Sequence, residues 1–165
     1  MVDEQNVQTI NNQYLAFKLA DEIYAIEIGQ VREVLEFISI SKVPNMPEFM
    51  RGVINLRGAV VPVVDLRLKF GMTQTEKTID TCIIIVDIMI DSENTMLGVL
   101  ADSVLEVIEL ESTQIEPPPK IGLRLKTDFI KGMGKQNEQF LILLDIDHVF
   151  STDELLIVRD GSGSN

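Results

Sequence analysis

Short apolar runs alternate with polar turns along most of the chain, and their lengths indicate strands rather than long helices. Residues 14–19 and 23–28 are two such runs, separated by a polar turn at residues 20–22. Gly29 interrupts the second run, and residues 30–36 are too few for their periodicity to distinguish a strand from a helical turn. The first part of the chain therefore predicts a β-hairpin, followed by an element that could be either a strand or a helical turn.

The clearest hairpin pattern comes next along the chain. Residues 52–56 and 59–66 are apolar and rich in β-branched side chains, and the polar pair between them ends in Gly58. Glycine adopts a positive φ without steric cost, so a tight turn would place Arg57 at the tip of a stiff support. Pro62 cannot donate a ladder hydrogen bond, which predicts that the second strand lies at a sheet edge or on a bulge.

More strands and short helical pieces are predicted in the remaining segments. Residues 79–90 are mostly apolar and predict a buried strand, residues 91–94 a turn, and residues 96–110 the returning strand. The other predicted elements are a helical turn at residues 47–50, an extended proline connector at 117–119, strands at 123–131 and 139–144, and a short helix at 151–158. The last of these rests on Ser151 and Glu154, which have capping-box spacing.

The two halves of the chain share a sequence pattern. Residues 24–37 align with residues 97–110, and a second block of matches follows in the same order at one common offset. The matched pairs are Val31 with Val104, Glu33 with Glu106, Val34 with Val107, Glu36 with Glu109, Gly52 with Gly132, Asp65 with Asp145, and Phe70 with Phe150. Many short strands with little helix indicate small barrels or a sandwich. The repeat therefore predicts a mainly β fold of two similar halves related by a pseudo-twofold axis.

An excess of acidic residues narrows the range of partners. The chain carries 26 Asp and Glu against 14 Lys and Arg, a formal net charge of −12. This balance argues against nucleic acid, which needs clustered Lys and Arg, and against docking on anionic lipid. No apolar stretch reaches the roughly 20 residues that span a bilayer, and residues 1–12 do not resemble a signal peptide. With Cys82 as its single cysteine, the chain is expected to be cytoplasmic and without an internal disulfide.

Residues that could perform catalysis or bind a metal are sparse. The only histidine, His148, stands near Asp145 and Asp147, a combination that suits a metal site or an oriented base. A polar turn explains these residues better, because no second histidine, ligand cysteine or nucleophile stands near them. Residues 91–102 resemble a calcium loop but lack its glycine and its final glutamate. We therefore expect no enzyme, no cofactor and no metal, and keep a small-ligand or metal-binding β-barrel enzyme as the alternative class.

The repeated valines allow two interpretations. If the halves pack around a pseudo-twofold axis, Val31 and Val34 would face Val104 and Val107 across one seam. Such a seam beside an exposed Arg57 would suit one face of an amphipathic helix. The same valines could instead form the core between the halves, and spacing alone favours that interpretation.

The segment around Arg57 supports a more specific hypothesis. Residues 51–58 and 61–67, RGVINLRG and VPVVDLR, resemble almost residue for residue the signature segment of the CheW family of bacterial chemotaxis coupling proteins. The resemblance extends from about residue 13 to about residue 156. It implies two similar five-stranded β-barrels and a non-catalytic adaptor that couples transmembrane chemoreceptors to the histidine kinase CheA.

The resemblance also implies binding residues. Carried over by position, the residues that would contact the helical tip of the receptor are Val31, Glu33, Arg57, Val104 and Val107. Contact with the regulatory domain of the kinase would involve the neighbourhoods of Cys82 and Ile121. Glu116 stands where a basic residue can occur in the family, so the charge pattern of the kinase contact is open. A CheW-like scaffold for a different chemosensory array is the alternative within the family.

These expectations define a domain plan. We expect a flexible segment at residues 1–12, one domain at 13–158 made of two intertwined halves at roughly 13–70 and 78–150, and a flexible tail at 159–165. The isolated protein is expected to be a monomer that does not insert into membranes. Asp65 and Arg67 are expected either to bind a partner or to tie the hairpin down by a salt bridge.

Overall fold

The structure is a computed structural model that describes residues 12–118 and 127–163. The expectations for residues 1–11 and for Ile121 lie outside the described residues. Of the predicted strand at 123–131, residues 123–126 also lie outside them, residues 127–129 form a 3₁₀ turn instead, and a strand begins only at Ile130. The end of the predicted tail, residues 164 and 165, also lies outside the described residues.

Strands make up most of the described chain. The strands are β1 (Gln13–Leu19), β2 (Glu22–Glu27), β3 (Val31–Glu36), β4 (Met50–Leu56), β5 (Ala59–Asp65), β6 (Cys82–Ile90), β7 (Glu93–Ala101), β8 (Ser103–Glu109), β9 (Ile115–Glu116), β10 (Ile130–Gln136) and β11 (Gln139–Leu144). The helices are α1 (Leu66–Lys69), α2 (Ile146–Val149) and α3 (Thr152–Gly163), with 3₁₀ turns at Ile28–Gln30, Ser112–Gln114 and Thr127–Phe129. The predicted mainly β composition with short helices is confirmed.

The strands form two sheets with the same plan. Sheet I has the order β8-β1-β2-β11-β10-β9, and sheet II has the order β3-β6-β7-β5-β4. In each sheet an antiparallel hairpin, β1–β2 or β6–β7, pairs antiparallel with one edge strand and parallel with a strand of the next hairpin. The parallel pair Val63–Gly98 of sheet II corresponds to Leu143–Ala25 of sheet I. The two similar halves predicted from the repeat are therefore present.

Each sheet combines strands from both ends of the chain. Hairpin β1–β2 pairs with β8 and β11 in sheet I, whereas hairpin β6–β7 pairs with β3 and β5 in sheet II. Residues 13–70 and 78–150 thus each contribute strands to both sheets. Because each sheet contains strands from both sequence halves, neither half can complete a sheet without the other.

Both sheets curl back on themselves. Strands β8 and β9 stand at opposite ends of sheet I yet follow one another in the chain. In sheet II, Ser41 follows edge strand β3 and exchanges two backbone hydrogen bonds, of 2.9 and 2.8 Å, with Val53 of the other edge strand β4. Among the described residues no ladder joins β8 to β9 or β3 to β4. Neither sheet is therefore closed into a barrel by a complete ring of hydrogen bonds, and chain connections link the two edges of each sheet.

Apolar side chains form one central cluster and one cluster within each sheet. The central cluster lies between the sheets and receives side chains from both of them and from all three helices, including Phe17, Tyr24, Phe70, Phe150 and Leu155. A smaller cluster in sheet I includes Tyr14, Ile108 and Leu143, and its counterpart in sheet II includes Ile54, Ile85 and Leu100. Alternate residues of a strand point to opposite faces, which explains how one strand supplies both kinds of cluster.

The Arg57 hairpin forms as predicted, with one correction at Pro62. Strand β5 is not an edge strand, because it lies between β7 and β4. Val53 lies opposite Pro62 in the ladder, but its backbone N–H and C=O both form hydrogen bonds with Ser41. Val53 therefore needs no hydrogen bond from Pro62. Pairing with β7 begins one residue later, at Val63. The missing N–H of Pro62 therefore falls where neither neighbouring strand needs it.

Several predicted boundaries also need correction. Residues 30–36, left open by the pattern, are mostly strand β3. Residues 47–50 do form a single turn, with a hydrogen bond from the Met50 amide to the Pro47 carbonyl oxygen. The predicted strand at 79–90 begins at Cys82, since Ile79 lies in an exposed loop. The run at 96–110 is two strands separated at Asp102. Helix α3 continues to Gly163 instead of ending at residue 158.

Candidate interaction surface

Arg57 lies at the tip of the β4–β5 hairpin on a rigid two-residue turn. Arg57 and Gly58 have φ angles of +50° and +90°, the combination required by the tight turns that match the twist of a hairpin. The Asn55 side chain accepts a hydrogen bond of 2.9 Å from the Gly58 amide and braces the turn. The Arg57 side chain is 70% exposed, so a stiff support presents a guanidinium to solvent.

Arg57 forms an ion pair with Glu33 of β3. Arg57 Nη1 lies 3.3 Å from Glu33 Oε1, and Arg57 Nη2 contacts Glu33 Oε2. Strands β3 and β4 are the two edges of sheet II, so this pair bridges the edges. The Arg57 hydrogen bond holds the pKa of Glu33 below its usual value, and Glu33 in turn raises the pKa of Arg57. Because both groups are in water, the pair contributes little to stability and remains available to a partner.

The four repeated valines divide into two kinds. Val31 and Val104 occupy equivalent strand positions, opposite Val86 and Phe17, and both pack against the central cluster. Val34 and Val107 are 40% and 50% exposed, and so they present apolar surface on the edge strands β3 and β8. That all four valines face one another across one seam stays a prediction.

Asp65 is a buried structural anchor. Its carboxylate is completely buried and accepts hydrogen bonds from Arg51 Nη1 (3.0 Å), the Arg67 amide (3.1 Å), and the Thr75 amide (2.9 Å) and hydroxyl (2.7 Å). Arg67 itself pairs with Asp102 at 2.7 Å. Of the two roles that the sequence left open for Asp65 and Arg67, the structure favours tying down the hairpin and the loop that follows it.

Asp102 is a contact point that the sequence did not reveal. It stands between β7 and β8, and its carboxylate accepts hydrogen bonds from the Ala20 amide (2.7 Å) and from Arg67 Nη1 (2.7 Å). It thereby joins the β1–β2 turn to α1. The repeat aligns Asp102 with Gly29, so no matching residue in the other half could have indicated this role.

Cys82 begins β6, between Glu36 of β3 and Ala101 of β7. Its thiol is partly buried and donates to the Asp80 carbonyl oxygen at 3.3 Å. Burial raises the pKa of this thiol, and the charges of Asp80 and Glu36 raise it further. A protonated thiol is a weak nucleophile, so Cys82 is suited to packing or to a protein contact.

His148 lies in α2, where its Nδ1 is 2.7 Å from Asp145 Oδ2 and its side chain is 70% exposed. The nearby carboxylate of Asp147 accepts instead from the Gln30 side chain at 3.3 Å. In residues 12–118 and 127–163 no group of three or more His, Cys, Asp and Glu residues is arranged to hold a metal ion. The local geometry is that of a polar helix turn.

Comparisons with known proteins agree with this architecture. The family model described as CheW-like domain matches residues 13–154. The chain belongs to the CheW family. It is 34% identical over 161 residues to chemotaxis protein CheW of Klebsiella aerogenes, an alignment that covers 96% of this chain and 93% of that protein. Chemotaxis protein CheW of Helicobacter pylori is 33% identical, with 86% of this chain and 82% of that protein covered.

A solved structure shows the same fold. The crystal structure of the scaffolding protein TtCheW from Thermoanaerobacter tengcongensis superimposes with a TM-score of 0.77 at 36% identity, and the match covers 87% of this chain and 90% of that one. Members of the CheW family are non-catalytic scaffolds of chemotaxis, and this CheW-family chain is such a scaffold. Within the described parts of the chain, no helix has both the length and the apolarity needed to cross a membrane.

Proposed function

We propose that this CheW-family scaffold couples the cytoplasmic tips of transmembrane chemoreceptors to a CheA-type histidine kinase within a signalling array. The observation that carries the proposal is the exposed Arg57–Glu33 pair on a braced hairpin. A rigid support lowers the entropy lost on binding, and an exposed pair can exchange its partner without leaving a buried charge behind.

The receptor side of the proposal uses Val31, Glu33, Arg57, Val104 and Val107. The receptor tip is a helical hairpin, which offers an apolar face together with carboxylate and carbonyl groups. The exposed Val107 would supply apolar burial, while Arg57 would donate charged hydrogen bonds. Val31 and Val104 lie partly buried against the central cluster and would form the base of the surface on which the receptor helix packs.

The kinase side of the proposal pairs one β-barrel with another. The regulatory domain of the kinase would contact the neighbourhood of Cys82, at the start of β6, and that of Ile121, which lies outside the described residues. The protein would act in the cytoplasm at membrane-bound receptor arrays, as a monomer when isolated. Its partners could belong to a chemotaxis array or to an array serving another output, and the same assay with each candidate kinase separates the two.

A co-sedimentation assay tests the proposal directly. Receptor-bearing membranes, the cognate kinase and the wild-type protein are expected to sediment together, with increased kinase autophosphorylation. Arg57→Glu should fold normally but lose receptor binding and kinase activation. The double variant Glu33→Arg/Arg57→Glu restores an ion pair of reversed polarity and serves as the matched control.

The double variant separates two roles of the pair. If Arg57 contacts the receptor, the reversed pair does not restore binding. If the pair acts only by bridging the edges of sheet II, the double variant binds as well as wild type and the receptor role of Arg57 is refuted. A wild-type protein that binds neither membranes nor kinase would refute the coupling function itself.

A further inference from the structure

The loop between α1 and β6 is held in place by hydrogen bonds along its length. The buried Asp65 carboxylate accepts hydrogen bonds from the Thr75 amide and hydroxyl, at 2.9 and 2.7 Å. Farther on, the Thr81 hydroxyl donates to the Glu76 carbonyl oxygen at 2.8 Å and accepts from the Thr78 amide at 2.9 Å. Thr75 and Thr81 are both buried. The loop is therefore a fixed part of the surface, anchored on either side of its tip.

This fixed loop holds an apolar side chain in water. Ile79 is 99% exposed, whereas the next most exposed large apolar side chain of the described residues, Met89, is 56% exposed. The neighbouring Lys77 places its ammonium 5.4 Å from the ring centroid of Phe37, which fixes the loop at a further point. An isoleucine held rigidly in this way loses little entropy when it enters an apolar pocket of a partner.

Three carboxylates stand near this isoleucine along the chain or across the β3–β6 ladder, beside the single ammonium of Lys77. Asp80 follows Ile79, Glu76 precedes it by three residues, and Glu36 of β3 pairs with Cys82 at the end of the loop. None of these three carboxylates forms an ion pair with another part of the described chain. A complementary partner surface would therefore consist of an apolar pocket bordered by Lys or Arg.

We propose that Ile79 is the anchor with which this protein docks into an apolar, basic-rimmed pocket on the regulatory domain of its kinase. The inference rests on the proposed coupling function and names one residue of the kinase contact. A folded domain can offer a concave pocket for a protruding side chain, whereas the helical tip of a receptor is convex. A second copy of this acidic chain would oppose the carboxylates around Ile79 with like charge.

The test measures binding of the full-length protein to the isolated regulatory domain of the kinase by calorimetry. Ile79→Ser is expected to raise the Kd about tenfold or more, as loss of a central apolar anchor does in other interfaces. Met89→Ser, which changes an exposed apolar residue on β6, is the matched control and should leave the Kd unchanged. The triple variant Glu36→Gln/Glu76→Gln/Asp80→Asn should weaken binding and reduce its dependence on salt.

Receptor co-sedimentation and sedimentation velocity complete the test. Ile79→Ser should still bind receptor membranes, because the anchor serves the kinase contact only. If wild type binds the kinase domain and Ile79→Ser binds it equally well, the anchor is refuted while the coupling function stands. If wild type does not bind the kinase domain, both fail. If wild type forms a dimer that Ile79→Ser dissociates, the occupant is a second copy and the assignment to the kinase is overturned.

Discussion

Asp65 and Asp145 occupy the same position in the two halves, but only Asp65 is completely buried. Each donates its backbone amide to the carbonyl oxygen of a phenylalanine, Phe49 at 2.7 Å and Phe129 at 2.8 Å. The Asp65 carboxylate then accepts four hydrogen bonds, from Arg51, Arg67 and Thr75. The Asp145 carboxylate is 21% exposed and contacts His148. Equivalent backbones therefore carry side chains with very different energetic roles.

Substitution of Asp65 is expected to be severely destabilising. Asp65→Ala removes the partner of a guanidinium and of the Thr75 donors in a buried site, for which a loss of about 3–5 kcal/mol in unfolding free energy is typical. Asp145→Ala should cost only about 1 kcal/mol, since its donors can turn to water. Urea denaturation of the two variants measures the difference. Equal losses would contradict the anchoring role of Asp65.

Gly52 is expected to tolerate no side chain. Its φ of +144° is rarely adopted by other residues, and an added Cβ would overlap the Ser41 carbonyl oxygen. Gly52→Ala should therefore lower the unfolding free energy by at least about 1–3 kcal/mol from backbone strain alone. Gly29→Ala is the control, because a Cβ there meets nothing within 4 Å. Thermal unfolding that left both variants at the wild-type midpoint would contradict the close approach at Gly52.

Glu154 should make stability depend on pH. Burial raises the pKa of this carboxyl, but hydrogen bonds from Lys69 and Ser151 outweigh it and hold the pKa below its ordinary value. A carboxyl with a lowered folded-state pKa contributes stability above its unfolded-state pKa, and that contribution disappears as the pH falls through the folded-state value.

The Glu154→Gln variant tests this dependence. Wild type should be more stable than the variant near pH 6, and the two unfolding free energies should converge as the pH falls below about 4. A Ser151→Ala variant shows how much the capping box contributes, because the Ser151 hydroxyl accepts from the Glu154 amide at 3.1 Å. A gap between wild type and Glu154→Gln that persisted unchanged at the lowest pH would contradict the role of the ionised carboxylate.

Arg57→Glu should change binding without changing stability. The Arg57 and Glu33 side chains are 70% and 30% exposed, and exposed pairs contribute little to folding. The unfolding midpoint of the variant should therefore match that of wild type in 0.15 M salt, while its receptor binding is lost. A clearly lowered midpoint would show that the bridge between β3 and β4 is structural.

The hairpin at Arg57 and the repeat were readable from the sequence because each depends on local or periodic features. A glycine after a short polar pair specifies the tight turn, and a two-residue period specifies the strands on either side. The capping box of Ser151 and Glu154 was equally local, and both of its hydrogen bonds form. The pairs Gly52–Gly132 and Asp65–Asp145 do occupy equivalent places in the two halves.

Other features could not be read because they depend on distant segments. Pro62 suggested an edge strand or a bulge, yet β5 lies inside the sheet between β4 and β7. The proline is tolerated there because Ser41 takes up the backbone polar groups of Val53 opposite it. The apolar residue Ile79 suggested the start of a strand, but the loop anchored on Asp65 holds it outside the sheet. In both cases the deciding partner lies many residues away in sequence.

The sequence by itself determined the class of fold, the two similar halves, the position of Arg57 at a turn and the membership of the CheW family. Only the tertiary structure decided which hairpin joins which sheet, that Arg57 pairs with Glu33, and that Asp65 is an anchor rather than a surface charge. The physical reason is that turns and strand periodicity are encoded by neighbouring residues. Strand exchange, burial and ion pairing arise only when segments far apart in the chain share the same space.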